Sequence, residues 1–294
     1  MSQPLPILAV QSEPIAIGEP LSVFATQASD AVAAHPGTRL LVYPELHLFG
    51  DGYPDQARTE ALQESAQPLD GPLVQELAQL AGDLGVWLVP GSICERGPEG
   101  QLFNTALVFS PQGELEASYR KIFPWRPYEP YDPGDSFVTV DLEGYGRAGL
   151  SICYDAWFPE VTRQLAWLGA DVILNVVKTT TEDREHELVL ARANAIVNQV
   201  FIVSVNCAGP TGRGQSLIVD PEGAILESID HDGTGMMAAT LDLSRIDYVR
   251  THGTAGLNRM WSQFRAHETP IELPMYSGRI DPATWTPAST ARQD

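Results

Sequence analysis

The chain has 294 residues and an apolar fraction of 44%, which is enough to bury a large core. Its 18 basic and 38 acidic side chains give a net charge of −20, which disfavours binding to nucleic-acid phosphates or anionic membranes. No stretch has the length of a membrane span, the first ten residues carry no basic region typical of a secretory signal, and three cysteines are too few for a disulfide framework, so we expect a cytoplasmic protein.

Apolar runs alternate with polar helix-forming stretches in the first third of the chain, a pattern typical of α/β proteins. It predicts strands at 6–11, 39–43 and 86–92 and helices at 19–34 and 72–83. The second strand ends in Pro44-Glu45. This places a carboxylate at a strand end, where open α/β sheets gather their functional groups.

The middle of the chain places two further polar residues at strand ends. A hairpin is predicted at 102–109 and 114–120, and Lys121 follows it directly. Residues 123–135 hold four prolines, which predicts a rigid irregular loop. After strands at 137–140 and 148–153, a helix is predicted to open at 155–160 and to run to about residue 168, so that Cys153 lies in a strand–turn–helix unit.

The last part of the chain continues the alternation and then changes character. We predict a strand at 171–177, a helix at 182–198 and a strand at 200–206, followed by an antiparallel meander at 216–220, 224–227 and 236–242. Prolines recur from Thr269 onward, which indicates an extended tail that is either disordered or wrapped on a partner subunit. The expected organisation is a single domain at 1–268 and a tail at 269–294.

Cys153, Glu45 and Lys121 are the candidate catalytic residues. A thiol at the start of a helix is expected to have a lowered pKa and to act as a nucleophile, whereas Cys94 and Cys207 precede turns and are interpreted as structural. None of the six histidines stands out as a base, which disfavours a Cys-His protease. Glu45 is the alternative base, and Lys121 is a candidate for oxyanion stabilisation. Taken singly, each residue is better explained without catalysis: Cys153 as a small buried hydrophobe, Glu45 as a helix or turn cap, and Lys121 as a surface lysine at a strand end.

Taken together, these positions resemble the nitrilase superfamily of carbon–nitrogen hydrolases. The matching segments are LVYPE at 41–45, YRKI at 119–122, SICYD at 151–155 and FPE at 158–160. Further similarity lies in ARANA at 191–195, GQS at 214–216 and VDPEG at 219–223. The resemblance covers roughly residues 5–245.

The resemblance implies a Glu-Lys-Cys triad. Cys153 would be the nucleophile, Glu45 the general base and Lys121 the stabiliser of the transition state, together with the backbone N–H of Tyr154. A second active-site glutamate follows the lysine by eight positions in the amidase and formamidase branches, and this position is Glu129 here. No metal or cofactor is implied, and the sequence has no run with zinc-ligand spacing.

The expected activity is hydrolysis of a small amide to a carboxylic acid and ammonia or an amine, through a cysteine thioester. Tyr154-Asp155 after the cysteine resembles amidases more than true nitrilases, while WFPE at 157–160 is also similar to N-carbamoyl-amine hydrolases. The residues expected to contact the substrate are Tyr154, Trp157, Val177, Lys178 and Thr179. Lys178 or Thr179 is a candidate for substrate selection, with a solvated lysine as the alternative for Lys178.

The resemblance also implies an α/β fold, a four-layer αββα sandwich that dimerises into an eight-layer assembly. The helices near 158–168 and 182–198 are the expected contact in a homodimer or a higher homo-oligomer. Two functions of another class stay open, a non-catalytic binding protein and a subunit that donates ammonia to a synthetase. The complete triad argues against the first, and the absence of a synthetase region in the sequence argues against the second.

Overall fold

The structure is a computed structural model that describes residues 3–50, 55–284 and 287. The strands are β1 Leu5–Gln11, β2 Leu40–Val42, β3 Trp87–Val89, β4 Ser92–Arg96, β5 Leu102–Phe109, β6 Leu115–Arg120, β7 Thr139–Leu142, β8 Gly146–Ile152, β9 Val172–Val177, β10 Phe201–Asn206, β11 Leu217–Val219, β12 Ile225–Ser228, β13 Gly235–Leu241, β14 Ile271–Leu273 and β15 Gly278–Ile280. The α-helices are α1 Leu21–Ala34, α2 Asp55–Ser65, α3 Pro72–Leu84, α4 Pro159–Trp167, α5 Arg184–Asn198 and α6 Ser244–His252.

Two mixed sheets form the centre of the molecule. In the described residues, the first sheet has the order β13-β1-β2-β3-β5-β4, with β6 paired to β5, and the second has the order β12-β11-β10-β9-β8-β7. Parallel pairing joins β1 to β2 and β2 to β3 in the first sheet, and β8 to β9 and β9 to β10 in the second. Glu45 and Cys153 therefore follow strands with parallel neighbours, β2 and β8, whereas Lys121 follows β6, which pairs antiparallel with β5.

The sheets pack face to face and each is covered by helices on its outer side. In β1, Ile7 and Ala9 face the apolar core between the sheets, whereas Leu8 and Val10 pack beneath α1 and α3. In the second sheet, Leu174 faces the inner core, and other residues pack against α4 and α5. The period-two alternation buries both faces of each sheet. The result is the expected four-layer αββα sandwich.

The predicted strand at 86–92 is two strands, β3 and β4, separated by Pro90-Gly91. Proline has no N–H for a sheet ladder, and Gly91 has a φ of 92°, which a residue with a side chain rarely adopts. A Cβ atom at Gly91 would lie 1.7 Å from the Pro44 carbonyl oxygen. The break thus allows the chain just before Glu45 to cross closely over residue 91.

The predicted meander in the last third is wrong in its pairing. Strands β11 and β12 pair with each other, but β13 pairs along its whole length with β1 in the other sheet. Met237 and Leu241 on β13 are buried in the core between the sheets. The burial of these two side chains favours the pairing of β13 with β1. Turn residues in the sequence do not indicate that pairing.

Two helices were not predicted, and one helix start is more complex than expected. Helix α2 is strongly polar, and the short α6 buries Val249 and Ile246, of which Ile246 belongs to the core between the sheets. The helix predicted from residue 155 begins instead as a 3₁₀ turn at Cys153–Trp157, and α4 follows at Pro159. None of the described helices combines the length and apolar character needed to cross a bilayer.

The segment predicted as a tail contains the short hairpin of β14 and β15. The remainder of that prediction, at 285–286 and 288–294, lies outside the described residues.

Candidate active site

Glu45 lies in a turn that is fastened to the neighbouring strand on both sides. The N–H of Tyr43 donates to the Val89 carbonyl at 2.8 Å, and the N–H of Leu46 donates to Ser92 Oγ at 3.0 Å. These bonds hold the Glu45 carboxylate, which is buried, at the edge of the inter-sheet space. Its Oε1 atom accepts a 2.7 Å hydrogen bond from Asn104 Nδ2.

Lys121 connects two carboxylates. Its backbone N–H donates to the Asn104 carbonyl at 2.9 Å, directly after β6 ends. The ammonium lies 3.2 Å from Glu45 Oε1 and 2.8 and 2.9 Å from the two oxygens of Glu129. Lys121 is fully buried, so these partners replace the water that an ammonium otherwise requires.

Glu129 is held by the proline-rich loop. One of its carboxylate oxygens accepts a 2.8 Å bond from the backbone N–H of Trp125, and its own N–H donates to the Trp125 carbonyl at 2.9 Å. The carboxylate is thus fixed by a turn of its own loop before it contacts Lys121. Glu45, Lys121 and Glu129 form one hydrogen-bonded group, which we call the carboxylate–lysine group.

Cys153 follows β8 in a backbone conformation with a φ of 46°. This left-handed geometry is unusual for a residue with a side chain, and such strain is typical of functional sites. The turn is stabilised by Asp155, whose carboxylate accepts bonds from the N–H of Ile152 at 2.9 Å, the N–H of Phe123 at 3.0 Å and the hydroxyl of Tyr119 at 2.8 Å. Asp155 therefore joins the turn at Cys153 to β6, the strand that precedes Lys121.

The charges at this site act on one another. Burial raises the pKa of Glu45, and Lys121 opposes that rise. Burial alone lowers the pKa of Lys121, but Glu45, Cys153 and Glu129 outweigh it and raise that pKa. Burial raises the pKa of Asp155 to about 6, against its hydrogen bonds.

The Cys153 thiol differs from the expectation of a lowered pKa. Burial, and after it the charge of Glu45, raise the pKa of Cys153 well above its usual value, although Lys121 lowers it. The physical reason is that the sulfur of this half-buried residue is enclosed by protein and lies among the carboxylates of Glu45, Glu187 and Glu129. The resting sulfur is therefore a thiol, and a base is needed to remove its proton.

Among the predicted contact residues, Thr179 lies next to the sulfur of the nucleophile. Thr179 Oγ1 lies 3.6 Å from Cys153 Sγ. Tyr154 and Trp157 are half-buried, with ring centroids 6.3 Å apart. Val177 is fully buried, and half-buried Lys178 is close enough to Cys207 to oppose the rise of that buried thiol's pKa.

Two residues at the site were not singled out from the sequence. Asn104 holds Glu45, and in the sequence it is marked as a polar residue in a mostly apolar strand. Glu187 on α5 accepts hydrogen bonds from Thr179 and, at 3.4 Å, from Trp157 Nε1. In the sequence, Glu187 could have been found from its four-residue spacing to Ala191 and Ala195, which places an acidic residue on the buried face of the helix.

Across the described ranges, no group of three or more His, Cys, Asp and Glu side chains is arranged to hold a metal ion. The chemistry available from the described side chains is that of a thiol, a base and an ammonium in one cleft. This combination suits covalent attack on a carbonyl carbon.

The sequence is similar to carbon–nitrogen hydrolases. Residues 17–251 match the family described as carbon–nitrogen hydrolase. A formamidase of Bacillus thuringiensis is 35% identical over 182 residues, which cover 61% of this chain and 53% of the formamidase. A formamidase of Bacillus anthracis matches equally well. The matched stretch spans about half the length of these relatives.

Solved structures share the fold. Nit3 of Saccharomyces cerevisiae, a member of branch 10 of the nitrilase superfamily, has a TM-score of 0.76 at 29% identity, over 85% of this chain and 94% of that one. A mutant amidase of Nesterenkonia sp. AN1 has a TM-score of 0.68 at 26% identity, over 82% of this chain and 92% of the other. That structure shows covalent addition of the acetamide moiety of fluoroacetamide at its active site cysteine.

Proposed function

Because the chain belongs to the carbon–nitrogen hydrolase family of the nitrilase superfamily, we propose that it hydrolyses small amides to a carboxylic acid and ammonia or an amine. The observation that carries this proposal is the contact of the Lys121 ammonium with both Glu45 and Glu129, beside Cys153. The similarity to formamidases and to an amidase supports an amide as the substrate.

The first half of the reaction forms a thioester. Glu45 takes the proton of Cys153, and the sulfur attacks the amide carbonyl carbon. The carbonyl oxygen becomes an oxyanion that accepts hydrogen bonds from the Lys121 ammonium and the backbone N–H of Tyr154. Glu45 then returns the proton to the nitrogen, the C–N bond breaks, and ammonia or an amine leaves.

The second half releases the acid. Glu45 takes a proton from water, the hydroxide attacks the thioester, and the C–S bond breaks as the sulfur recovers a proton. The raised pKa of Glu45 suits this role, because a stronger conjugate base removes protons more readily from a thiol and from water. Glu129 fixes Lys121 and presents a carboxylate toward the substrate.

The proposal is tested by measuring ammonia and carboxylic acid released from a panel of short amides. We expect turnover by the wild-type chain and a loss of at least about 10³-fold in Cys153→Ala, because the nucleophile is removed. Cys94→Ala, which removes a different cysteine that is fully buried, is the control and is expected to retain activity.

The same panel includes nitriles and N-carbamoyl amines, the two alternative substrate classes. If either class had a higher kcat/KM than the amides, that class would be the preferred substrate instead of the amides. A wild-type chain that releases no product from any of the three classes, or a Cys153→Ala variant as active as wild type, would contradict the proposed hydrolysis.

Self-association is part of the proposal. The exposed face of α5 carries Val189, Ala193 and Val197, which are four residues apart and so lie along one side of the helix. An aliphatic stripe of this kind is suited to helix packing against a second copy. A homodimer joined through α4 and α5 would stack two four-layer sandwiches into eight layers.

A further inference from the structure

A second buried carboxylate, outside the carboxylate–lysine group, is linked to the surroundings of the nucleophile. Glu187 on α5 accepts hydrogen bonds from Thr179 Oγ1 at 2.9 Å to Oε1 and 2.7 Å to Oε2. Thr179 Oγ1 is also the atom that lies 3.6 Å from Cys153 Sγ. The hydroxyl therefore stands between a carboxylate and the reacting sulfur.

The direction of the Thr179 hydrogen bond is set by charge. Glu187 Oε2 forms a 2.9 Å ion pair with Arg184, and both side chains are buried, so Glu187 is a carboxylate that only accepts. A hydroxyl has one proton, and Thr179 donates it to Glu187. The lone pairs of Thr179 Oγ1 are then left to face Cys153.

Thr179 is rigid as well as oriented. Its N–H donates to Asn206 Oδ1 at 2.9 Å, and its carbonyl accepts a 3.0 Å bond from the N–H of Arg213. Arg184, beneath Glu187, donates to the Gln215 carbonyl at 3.0 Å. An acceptor held in this way requires little reorganisation when a donor arrives.

We propose that Thr179, oriented by Glu187, accepts a hydrogen bond from the N–H group of the substrate amide at Cys153, and that this contact selects amides over esters of the same acyl group. The inference rests on the proposed amide hydrolysis and names the part of the substrate that is recognised. An ester presents oxygen lone pairs where the amide has N–H, so the same acceptor repels it.

The contact fits the sequence of proton movements. In the resting site the thiol, a weak donor, lies opposite the Thr179 lone pairs. When Glu45 takes the thiol proton and the C–S bond forms, the substrate nitrogen occupies the space beside Thr179 with an N–H directed at Oγ1. Glu45 then protonates that nitrogen, the C–N bond breaks, and ammonia leaves past Thr179.

The test compares an amide with the methyl ester of the same acid in wild type, Thr179→Val and Thr179→Ser. Removal of the acceptor in Thr179→Val is expected to lower kcat/KM for the amide by about 10- to 100-fold and to change that for the ester by less than about threefold. Thr179→Ser keeps the hydroxyl and is expected to stay within about threefold of wild type on both.

The matched control is Thr38→Val, which removes an equally buried hydroxyl at the end of α1. It is expected to leave the amide-to-ester ratio unchanged. Equal losses on amide and ester in Thr179→Val, or no loss on either, would overturn the proposal. Thr179→Ala provides the same comparison if Thr179→Val does not fold.

Glu187 is a positioning residue in this scheme, and Glu187→Gln tests it. The carboxamide can donate to Thr179, which frees the hydroxyl to point its proton at Cys153. The amide-to-ester ratio of kcat/KM is expected to fall by about 3- to 10-fold. A purely structural role would lower both activities together and leave the ratio unchanged.

Alkylation of Cys153 gives a readout that is independent of turnover. Its rates with iodoacetamide and methyl iodoacetate are measured by mass spectrometry and normalised to those of glutathione. We expect wild type to favour the amide reagent and Thr179→Val to lose at least about half of that preference. If wild type hydrolyses no amide but this preference changes, the proposed function fails and the Thr179 contact stands. If amides are hydrolysed and neither ratio changes, only the Thr179 contact fails.

Discussion

The carboxylate–lysine group contains two carboxylates and one ammonium, so its charges do not cancel. Glu45 and Glu129 both contact Lys121, and the charge of Glu129 raises the pKa of both Glu45 and Cys153. Burial is the larger cause of both shifts, and the excess negative charge adds to it by making Glu45 a stronger base and by favouring the protonated sulfur. The same charge therefore shifts the pKa values of the base and of the nucleophile in the same direction.

This balance gives a pH prediction. In Glu129→Gln, one negative charge is lost and Lys121 acts more fully on Glu45, so the pKa of Glu45 falls. The acid limb of kcat/KM, along which Glu45 must lose its proton to act as a base, is expected to move to lower pH. The remaining activity at neutral pH is expected to be about 10- to 10³-fold lower. A pH profile of amide hydrolysis measures both changes.

Alkylation of Cys153 by iodoacetamide checks the same charge effect without catalysis. Loss of the Glu129 charge lowers the pKa of the thiol, so labelling at neutral pH is expected to be faster in Glu129→Gln. Glu116→Gln, an exposed carboxylate on β6, is the control and should change neither measurement. An acid limb that stays in place or moves upward would exclude the proposed electrostatic coupling.

At the scale of elements, the Glu45 turn depends on the break between β3 and β4. Gly91 lies against the Pro44 carbonyl, so the backbone beside Glu45 occupies the space of a missing side chain. The turn is further held by Ser92, the first residue of β4. The break that divides the predicted strand therefore also positions the base.

Gly91→Ala is expected to destabilise the protein by about 2–4 kcal/mol, because a Cβ atom meets the Pro44 carbonyl at a positive φ. Activity is expected to fall further than stability explains, since relief of the clash displaces Glu45. Urea denaturation and amide hydrolysis measure the two effects.

Gly37→Ala is the matched control, because a Cβ atom there meets nothing within 4 Å. It is expected to alter unfolding by no more than about 0.5–1 kcal/mol and to leave activity unchanged. Equal behaviour of the two variants would show that Gly91 does not constrain the Glu45 turn.

Elements whose signals are local could be predicted from the sequence, and contacts between distant segments could not. The strand ends at Glu45, Lys121 and Cys153 are marked by adjacent prolines, turn formers or polar residues. The pairing of β13 with β1 depends on which face is buried in the inner core, and no local pattern encodes that choice.

The same distinction applies within the candidate site. The carboxylate–lysine group was expected from the resemblance to the nitrilase superfamily. The raised pKa of Cys153 was not expected, because it depends on how many carboxylates surround the thiol after folding. The link from Glu187 through Thr179 likewise requires α5 to be docked on the end of β9.

At the scale of the whole molecule, the two outer helix layers differ in their exposed surfaces. On α5, Val189 and Val197 are 66% and 43% exposed, and Ala193 between them is also exposed. A net charge of −20 opposes association by general repulsion, so contact between copies requires a local apolar surface. The α5 stripe provides such a surface on the exposed side of the helix whose buried side carries Glu187.

The dimer proposal predicts that Val189→Glu weakens self-association, because it buries a charge in the contact and repels the same residue of the second copy. Sedimentation over a range of concentrations is expected to give about twice the 32.0 kDa chain mass for wild type and the single-chain mass for Val189→Glu at concentrations where wild type remains paired. Val23→Glu, on α1 in the opposite layer, is the matched control and is expected to sediment as wild type. A wild-type chain that sediments at 32.0 kDa at all concentrations would refute the dimer, and equal assembly of the two variants would exclude α5 as its contact.

Since Glu187 lies on the buried face of the same helix, amide hydrolysis by the Val189→Glu variant would also show whether docking of a second copy supports the site.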